Sequence, residues 1–268
     1  MATIQISFTS SRFEGRAKQL SAKLQLPQHT DQSPSYDYLL SISESGLALV
    51  PSTDKGYGPI QCDFTAGAHQ HRRRFGGGNG QAIAKAIGVS GKFSPQVLDL
   101  TAGLGGDAFV LGSLGCYVTM LERNPIIHSL LADGLLRANQ HADEGDSELA
   151  AIMARISLIE GNSAAYLRNN NPSVSADVVY LDPMFPGRKK SAKVKKQMQA
   201  FQDIVGADSD ADNLLALALD AANYRVVVKR STGANYLAER KPSYSLEGKS
   251  TRFDIYTLKK LPDSQPVR

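Results

Sequence analysis

The chain has 268 residues, of which 42% are hydrophobic and 21% charged, so its composition is that of a folded globular protein and excludes a disordered or low-complexity chain. The formal net charge is +4 and the basic residues are clustered, a distribution that favours a polyanionic partner. No apolar run is long enough to cross a bilayer, no signal-peptide pattern opens the sequence, and Cys62 and Cys116 lie far apart. We therefore expect a cytoplasmic protein without a membrane segment, a disulfide framework or a metal site.

Residues 1–75 predict a small N-terminal α+β domain. Their pattern gives a strand at Ile4–Phe8, a helix near Arg16–Leu26, and a hairpin made of Tyr38–Ile42 and Leu47–Val50. The segment Glu44-Ser45-Gly46 supplies the turn of that hairpin. A glycine run at residues 76–80 predicts the connection to the rest of the chain, so we expect the second domain to span residues 76–268.

The second domain predicts a Rossmann-like α/β fold. Short β-branched runs alternate with longer segments of helical period, which is typical of βαβ units and a mainly parallel sheet. The predicted strands are Val97–Leu100, Val118–Leu121, Ile156–Ile159, Val178–Leu181, Arg225–Val228 and Phe253–Leu258. The predicted helices include Ala108–Leu114, Ile126–Gln140 and Lys193–Val205.

The first predicted strand runs into a glycine-rich turn that opens a helix, Thr101-Ala102-Gly103-Leu104-Gly105-Gly106-Asp107. Glycines let the backbone approach a ligand closely, and the start of a helix offers N–H groups that lack a partner within the helix. This geometry suits an adenosyl cofactor, so Gly103, Gly106 and Asp107 are candidate cofactor-binding residues. The spacing of Gly103, Gly105 and Ala108 also fits a G-x-G-x-x-A dinucleotide fingerprint, and the turn alone therefore leaves NAD open.

Two further strand ends add candidates for cofactor binding. Glu122 follows the second strand, where an acidic side chain can accept hydrogen bonds from both ribose hydroxyls, and Arg123 stands beside it. Asn162 and Ser163 follow the third strand, and the loops at the carboxyl ends of parallel strands carry the ligands in such folds. We predict that these four residues contribute to the cofactor site.

The fourth predicted strand ends in Asp182-Pro183-Met184-Phe185. This tetrapeptide resembles the Asp-Pro-Pro-Tyr type motif of enzymes that methylate exocyclic amino groups on bases, and it favours S-adenosylmethionine over NAD. The lone pair of such an amino group is delocalised into the ring, so the group needs hydrogen-bond acceptors that are held in place. We predict that Asp182 accepts from the amino group and also belongs to the cofactor site, that Pro183 restricts the backbone, and that Phe185 stacks on the base.

Basic side chains adjoin the predicted reaction centre. A run between Pro186 and Lys196 contains Arg188, Lys189 and Lys190 and no acidic residue. A second basic stretch, Arg72-Arg73-Arg74, precedes the glycine run. Lysine and arginine position a nucleic acid through phosphate contacts, so both stretches are candidate RNA-binding segments.

With these motifs in place, the chain resembles the ribosomal RNA small subunit methyltransferase J family. The resemblance is carried by six stretches, His71–Gly78, Thr101–Gly105, Met120–Pro125, Val179–Pro186, Val226–Arg230 and Arg252–Tyr256. It implies a class I S-adenosylmethionine-dependent enzyme that forms N2-methylguanosine in small-subunit (16S) ribosomal RNA, with that RNA or the small ribosomal subunit as its partner. It also implies cofactor contacts at Gly106-Asp107, Glu122-Arg123, Asn162-Ser163 and Asp182.

Two alternatives stay open at the level of the sequence. The motif at Asp182 does not specify the base, so methylation of adenine N6 in DNA or RNA is the enzymatic alternative. The other is a nucleic-acid-binding protein that keeps a methyltransferase fold without turnover. The identity of the methylated nucleoside, or its absence, distinguishes them.

Overall fold

The structure is a computed structural model, and it describes residues 2–53, 57–65, 80–170, 176–183, 204 and 211–264. Its described strands form a sheet of three strands near the N-terminus and a second sheet of seven strands. Helices pack against both sheets. The small sheet and the large sheet meet on one helix.

The three-stranded sheet is built from β1 (Ile4–Phe8), β2 (Tyr38–Ser43) and β3 (Gly46–Pro51). Strand β1 pairs parallel with β2, and β2 pairs antiparallel with β3. Helix α1 (Glu14–Leu24) connects β1 to β2. The predicted α+β elements of this region are thus confirmed, while the predicted domain boundary near residue 75 lies outside the described residues.

The seven-stranded sheet contains β4 (Gln96–Asp99), β5 (Tyr117–Glu122), β6 (Ile156–Glu160), β7 (Ala176–Leu181), β8 (Ala222–Ser231), β9 (Tyr244–Glu247) and β10 (Thr251–Thr257). Its strand order is β6-β5-β4-β7-β8-β10-β9. The first five strands in this order run parallel, whereas β10 is antiparallel to both β8 and β9. This topology confirms the predicted Rossmann-like α/β fold with a mainly parallel sheet.

The helices of this part are α2 (Ala82–Ile87), α3 (Gly106–Ser113), α4 (Pro125–Asp143), α5 (Ser147–Met153), α6 (Ser163–Asn170) and α7 (Ala211–Ala221). Helices α3 and α4 confirm two of the predicted segments. Helix α4 begins sharply because the Asn124 side chain accepts hydrogen bonds from the N–H groups of Ile126 and Ile127, and Pro125 occupies the first turn. The helix predicted at Lys193–Val205 lies outside the described residues, except for Ile204.

Strand β7 shows how the sheet organises the core. All six of its residues are buried, as expected for a central parallel strand with both faces covered. Val178 and Tyr180 belong to one hydrophobic cluster, and Val179 and Leu181 belong to another. Successive side chains point to opposite faces of a strand, so the two clusters lie on opposite sides of the sheet.

Helix α4 joins the small sheet to the large one. Its residues Ile127 and Leu130 belong to the hydrophobic cluster of the N-terminal sheet, whereas Leu131 and Ala138 belong to a cluster of the large sheet. Asp133 on the same helix is 3% exposed and accepts a hydrogen bond from the Leu47 N–H of β3 at 2.9 Å. The two sheets therefore share one helix as a common packing surface.

Two strands differ most from the sequence-based prediction. Strand β8 extends beyond the predicted Arg225–Val228 at both ends. Ala222 at its start pairs with Ala176 of β7, and its polar last residues pair with β10, for example Ser231 with Thr251. Strand β9 was not predicted. It has only four residues, and its hydrogen bonds come from pairing with the neighbouring β10, which the sequence pattern does not indicate.

Candidate functional site

The carboxyl ends of β4 and β7 form a topological switch point. These strands are neighbours in the sheet, although β5 and β6 come between them in the chain. In open α/β sheets, ligands bind outside the carboxyl ends of the strands at such a point. The Leu100 N–H donates to the Tyr180 carbonyl at 3.0 Å, and the Asp182 N–H donates to Thr101 Oγ1 at 2.6 Å. The structure thus brings the predicted cofactor turn and Asp182 together.

The glycine-rich turn connects β4 to α3 tightly, and two of its residues have left-handed backbone conformation. The φ angles of Gly103 and Gly105 are +56° and +71°, which favour glycine. The Ala102 N–H donates to the Leu121 carbonyl at 3.0 Å, and the Gly105 N–H donates to the Ala102 carbonyl at 2.9 Å. Gly106 begins α3 and Asp107 lies in its first turn, so the helix starts two residues before the predicted Ala108.

Gly105 is required for packing as well as for its φ angle, so Gly105→Ala is expected to destabilise the fold. A Cβ atom there would lie 2.8 Å from Leu131 Cδ1 and 3.2 Å from Phe64 Cζ. We expect a loss of about 2–4 kcal/mol in the free energy of unfolding, from left-handed strain and overpacking together.

The matched control for Gly105→Ala is Gly103→Ala in the same turn. Its φ angle is also positive, but no described atom lies within 4 Å of the added Cβ. We expect this variant to lose only about 1 kcal/mol, measured by chemical denaturation without ligand. Equal losses in the two variants would show that crowding at Gly105 contributes nothing.

Glu122 connects the glycine turn to the start of α4. One carboxylate oxygen accepts from the Gly103 N–H at 2.9 Å and the other from the Asn124 N–H at 2.7 Å. The residue is only 7% exposed. A carboxylate can accept about four hydrogen bonds, and these two contacts orient this one. Arg123 follows it on the same edge of the sheet and is partly exposed.

Asn162 and Ser163 lie at the start of α6, beside the end of β4. The Asn162 side chain accepts from the Ala165 N–H at 3.0 Å, which caps the helix. The Ser163 hydroxyl is buried and donates to the Leu100 carbonyl at 2.6 Å. Ser163 therefore holds the end of β6 against the end of β4, at the edge where the sequence predicted a cofactor site, and Asn162 caps the helix that follows.

Next to the switch point lies a cluster of charged and polar side chains, which we call the Lys229 cluster. It contains Asp107, Tyr180, Asp182 and Lys229. Lys229 Nζ lies 2.6 Å from Asp107 Oδ2 and 2.9 Å from Asp182 Oδ2. The Tyr180 hydroxyl donates to Asp107 Oδ2 at 2.7 Å. Asp107 and Asp182 were predicted as site residues, and the structure joins them through one ammonium group.

Sequence reasoning did not assign a role to Lys229. The signal that it offered was a lysine directly after the apolar run Val226–Val228, at the carboxyl end of a central strand. Lysine is seldom buried without a charged partner. The partners, however, come from α3 and from the segment after β7, and only the folded chain brings them to it.

Burial and charge shift the protonation of this region in different directions. Burial raises the pKa of Asp99, at the end of β4, to about 8, and the carboxylates of Asp107 and Asp182 contribute to that rise. Burial opposes the charge on Lys229, but the carboxylates of Asp182 and Asp107 outweigh it and raise its pKa. Burial and the neighbouring carboxylates raise the pKa of Tyr180, so it stays a hydrogen-bond donor.

These groups fit an adenosyl cofactor. The space beside Gly103 is open with respect to the described atoms, so a ligand can approach the backbone of the turn. Glu122 lies at the end of β5, with its carboxylate fixed by two backbone N–H groups. Asp182 is 40% exposed at the switch point, whereas Pro183 after it is buried. The edge thus combines an open turn with carboxylates for hydroxyl and amino donors.

Several predicted residues lie outside the described part of the chain. They are Phe185 of the predicted base-stacking motif and the basic residues Arg72, Arg73, Arg74, Arg188, Lys189 and Lys190. Among the residues that the structure describes, no group of three or more His, Cys, Asp or Glu side chains is arranged to hold a metal ion. In the same residues, no helix has both the length and the apolar character that crossing a membrane requires.

Known proteins are similar to this chain over most of its length. Residues 19–258 match the family described as putative SAM-dependent methyltransferases. A protein of Cellvibrio japonicus named ribosomal RNA small subunit methyltransferase J is 51% identical over 258 residues, which are 95% of this chain and 97% of that protein. A protein of the same name from Ectopseudomonas mendocina is 48% identical and covers 97% of this chain, with 96% of its own length aligned.

A solved structure shares the fold. The crystal structure of a SAM-dependent methyltransferase from Neisseria gonorrhoeae superimposes with a TM-score of 0.70 at 34% sequence identity. The match covers 94% of this chain and 95% of that protein. The similarity therefore includes both the seven-stranded sheet and the N-terminal region.

Proposed function

The chain belongs to the family of SAM-dependent methyltransferases, and from that premise we propose that it methylates the exocyclic N2 amino group of guanine in small-subunit ribosomal RNA. The family membership confirms the prediction of an S-adenosylmethionine-dependent enzyme and the resemblance on which that prediction was based. The names of the relatives from Cellvibrio japonicus and Ectopseudomonas mendocina support ribosomal RNA as the substrate. A cytoplasmic location follows from that substrate.

One observation carries the proposal, namely the position of the Asp182 carboxylate. It follows the last residue of β7 at the switch point, and its backbone N–H is fixed to Thr101 Oγ1 of the predicted cofactor turn. Pro183 restricts the chain directly after it. An acceptor held this close to the cofactor turn can orient an amino group whose lone pair must be drawn out of conjugation with the ring before it can attack.

We assign the cofactor to the residues on the same edge of the sheet. S-adenosylmethionine, when bound, supplies an electrophilic methyl group on a sulfonium centre. Glu122 would hold the ribose hydroxyls, the backbone at Gly103 and Gly106 would approach the amino-acid portion, and Asn162-Ser163 would contact the adenine. Arg123, Asp107 and Asp182 complete the proposed set.

The base and the RNA complete the proposal. Phe185 would stack on the target base, and Arg72–Arg74 and Arg188–Lys190 would contact phosphates, as their residue types and positions in the sequence indicate. A target base inside folded RNA must be unpaired or extruded before an acceptor such as Asp182 can reach its amino group.

The direct test is transfer of labelled methyl from S-adenosylmethionine to small ribosomal subunits that lack the modification. The RNA is then digested, and the labelled nucleoside is identified. We expect N2-methylguanosine. Labelled N6-methyladenosine would retain the chemistry and overturn the substrate. Tight RNA binding without label on subunits or on free RNA would favour the non-catalytic alternative.

Glu122→Gln is expected to weaken S-adenosylhomocysteine binding about 10–100-fold, because a charged acceptor for the ribose is lost. The measurement is calorimetric titration without RNA. Glu160→Gln is the matched control, since Glu160 pairs in register with Glu122 on the adjacent strand and contacts Lys23 at 2.7 Å. Equal affinities of the two variants would contradict the assignment of the ribose to Glu122.

A further inference from the structure

We propose that Lys229 is a positioning residue for methyl transfer, which holds the Asp182 carboxylate in place and in its ionised form. The inference rests on the proposed function in one respect, because it takes Asp182 as the acceptor for the amino group of the base. It assigns a role to a residue that the sequence motifs did not explain.

Lys229 is held by a central strand. In the sheet it pairs with Phe253 of β10, and its neighbour Val228 pairs with Leu181 at the end of β7. From this position Nζ reaches Asp182 Oδ2 at 2.9 Å, while the lysine side chain is 26% exposed. The backbone of β8, paired on both sides, thus holds the Lys229 ammonium group next to Asp182. The Asp182 backbone is itself fixed by its hydrogen bond to Thr101.

Lys229 is shared between two carboxylates. Asp107 Oδ2 accepts from Lys229 Nζ at 2.6 Å and from the Tyr180 hydroxyl at 2.7 Å. Asp107 therefore fixes the ammonium group from the side of α3, while Asp182 meets it from the side of β7. This arrangement leaves the lysine little freedom, so it also restricts the side chain of Asp182.

The charges around Asp182 explain why the cation matters. Besides Lys229, the titratable groups close to it include Asp99 from β4, Asp107 from α3 and Tyr180 from β7. Like charges favour protonation of a carboxylate, and an adjacent cation opposes it. Since the charge of Asp182 raises the pKa of Lys229, the charge of Lys229 must by reciprocity favour ionised Asp182.

The ionised form is the one that the proposed chemistry needs. An ionised carboxylate only accepts hydrogen bonds, whereas a protonated one carries an O–H donor. A donor would face the N–H groups of the base instead of accepting from them. The negative charge also stabilises the positive charge that develops on the amino nitrogen as it is methylated.

The first test is a titration of the Asp182 carboxyl carbon by 13C NMR, without RNA or cofactor. Asp182→Asn identifies the signal. In Lys229→Met the titration midpoint is expected to move to a pH higher by about one unit or more, because the adjacent cation is gone. In Lys229→Arg, which keeps the charge, the midpoint is expected to stay near that of the unmodified protein.

The second test is the pH profile of methyl transfer to RNA. In Lys229→Met we expect kcat at neutral pH to fall about tenfold or more, and the acid limb of the profile to move to higher pH. The KM for RNA is expected to change less than about twofold, since Lys229 acts through Asp182. Lys229→Arg restores the acid limb.

Asp107→Asn covers the case in which Lys229→Met does not fold. It removes a competing carboxylate and leaves the pair of Lys229 and Asp182, so the Asp182 midpoint is expected to move to lower pH. An unchanged midpoint in folded Lys229→Met or Asp107→Asn, or an unchanged acid limb in Lys229→Met, would overturn the proposal. The NMR titration needs no substrate, so its result stands apart from failure of the guanine assignment.

Discussion

Asp182→Asn is expected to lower kcat for methyl transfer by about 10²–10⁴-fold, while the fold stays intact. The substitution keeps the shape of the side chain but replaces a charged acceptor oxygen with an amide that donates. That amide would oppose the amino group of the base and could not balance the positive charge that develops on its nitrogen. Single-turnover transfer, measured with the enzyme in excess over RNA and with saturating cofactor, isolates this step from product release.

Asp177→Asn is the matched control for Asp182→Asn. Asp177 lies at the opposite end of the same strand, and its side chain accepts from the Gln96 N–H at 2.8 Å. An asparagine there keeps an acceptor oxygen, so transfer is expected to stay within about twofold of the unmodified protein. Full activity in both variants would show that the assignment of Asp182 as the acceptor is wrong.

The parts of the site that the sequence predicted depend on local pattern. Gly103 and Gly105 require left-handed backbone, and a strand precedes them, so the turn could be predicted from its own residues. Glu122 is the last residue of the apolar strand β5, and Asp182 directly follows the apolar strand β7. Because parallel strands end on one edge of the sheet, their proximity follows once the alternation of strands and helices is recognised.

The parts that the sequence did not predict depend on pairing across the fold. Lys229 meets Asp107 and Asp182 from segments that are distant in the chain, and no spacing rule relates the three. Strand β9 exists because β10 is beside it, since a short edge strand takes its hydrogen bonds from a neighbour. Such features are set by tertiary contacts, which composition and periodicity do not record.

Asp133 is another residue whose role is set by tertiary contacts and was not predicted, and its role is in stability. It lies within helix α4, where an acidic side chain would ordinarily be assigned to the solvent-exposed face. The structure buries it against β3 and α1, where its carboxylate accepts from Arg16, from the Leu47 N–H at 2.9 Å and from Arg137 Nε at 2.9 Å. One carboxylate therefore satisfies donors from the N-terminal region and from its own helix.

Asp133→Ala is expected to lower the free energy of unfolding by about 3 kcal/mol at neutral pH. The substitution leaves the buried Leu47 N–H without its acceptor, which costs about 1–3 kcal/mol, and it removes the partner of two arginines. The arginine contribution is reduced because the Arg16 side chain is 42% exposed and so can be rehydrated. Asp143→Ala, an exposed position on the same helix, is the control and is expected to change stability by less than about 0.5 kcal/mol.

The pH dependence of unfolding gives a second readout for Asp133. Burial raises the pKa of this carboxyl, but the hydrogen bonds from Arg16, Leu47 and Arg137 outweigh it and lower the pKa below its usual value. Stability from a lowered pKa is fully present above the unfolded value of about 3.9 and is lost as the pH falls through the folded pKa. The unmodified protein should therefore lose stability below about pH 4 more steeply than Asp133→Ala, in denaturation series at several pH values. Parallel curves for the two proteins would mean that Asp133 does not hold the N-terminal sheet onto α4.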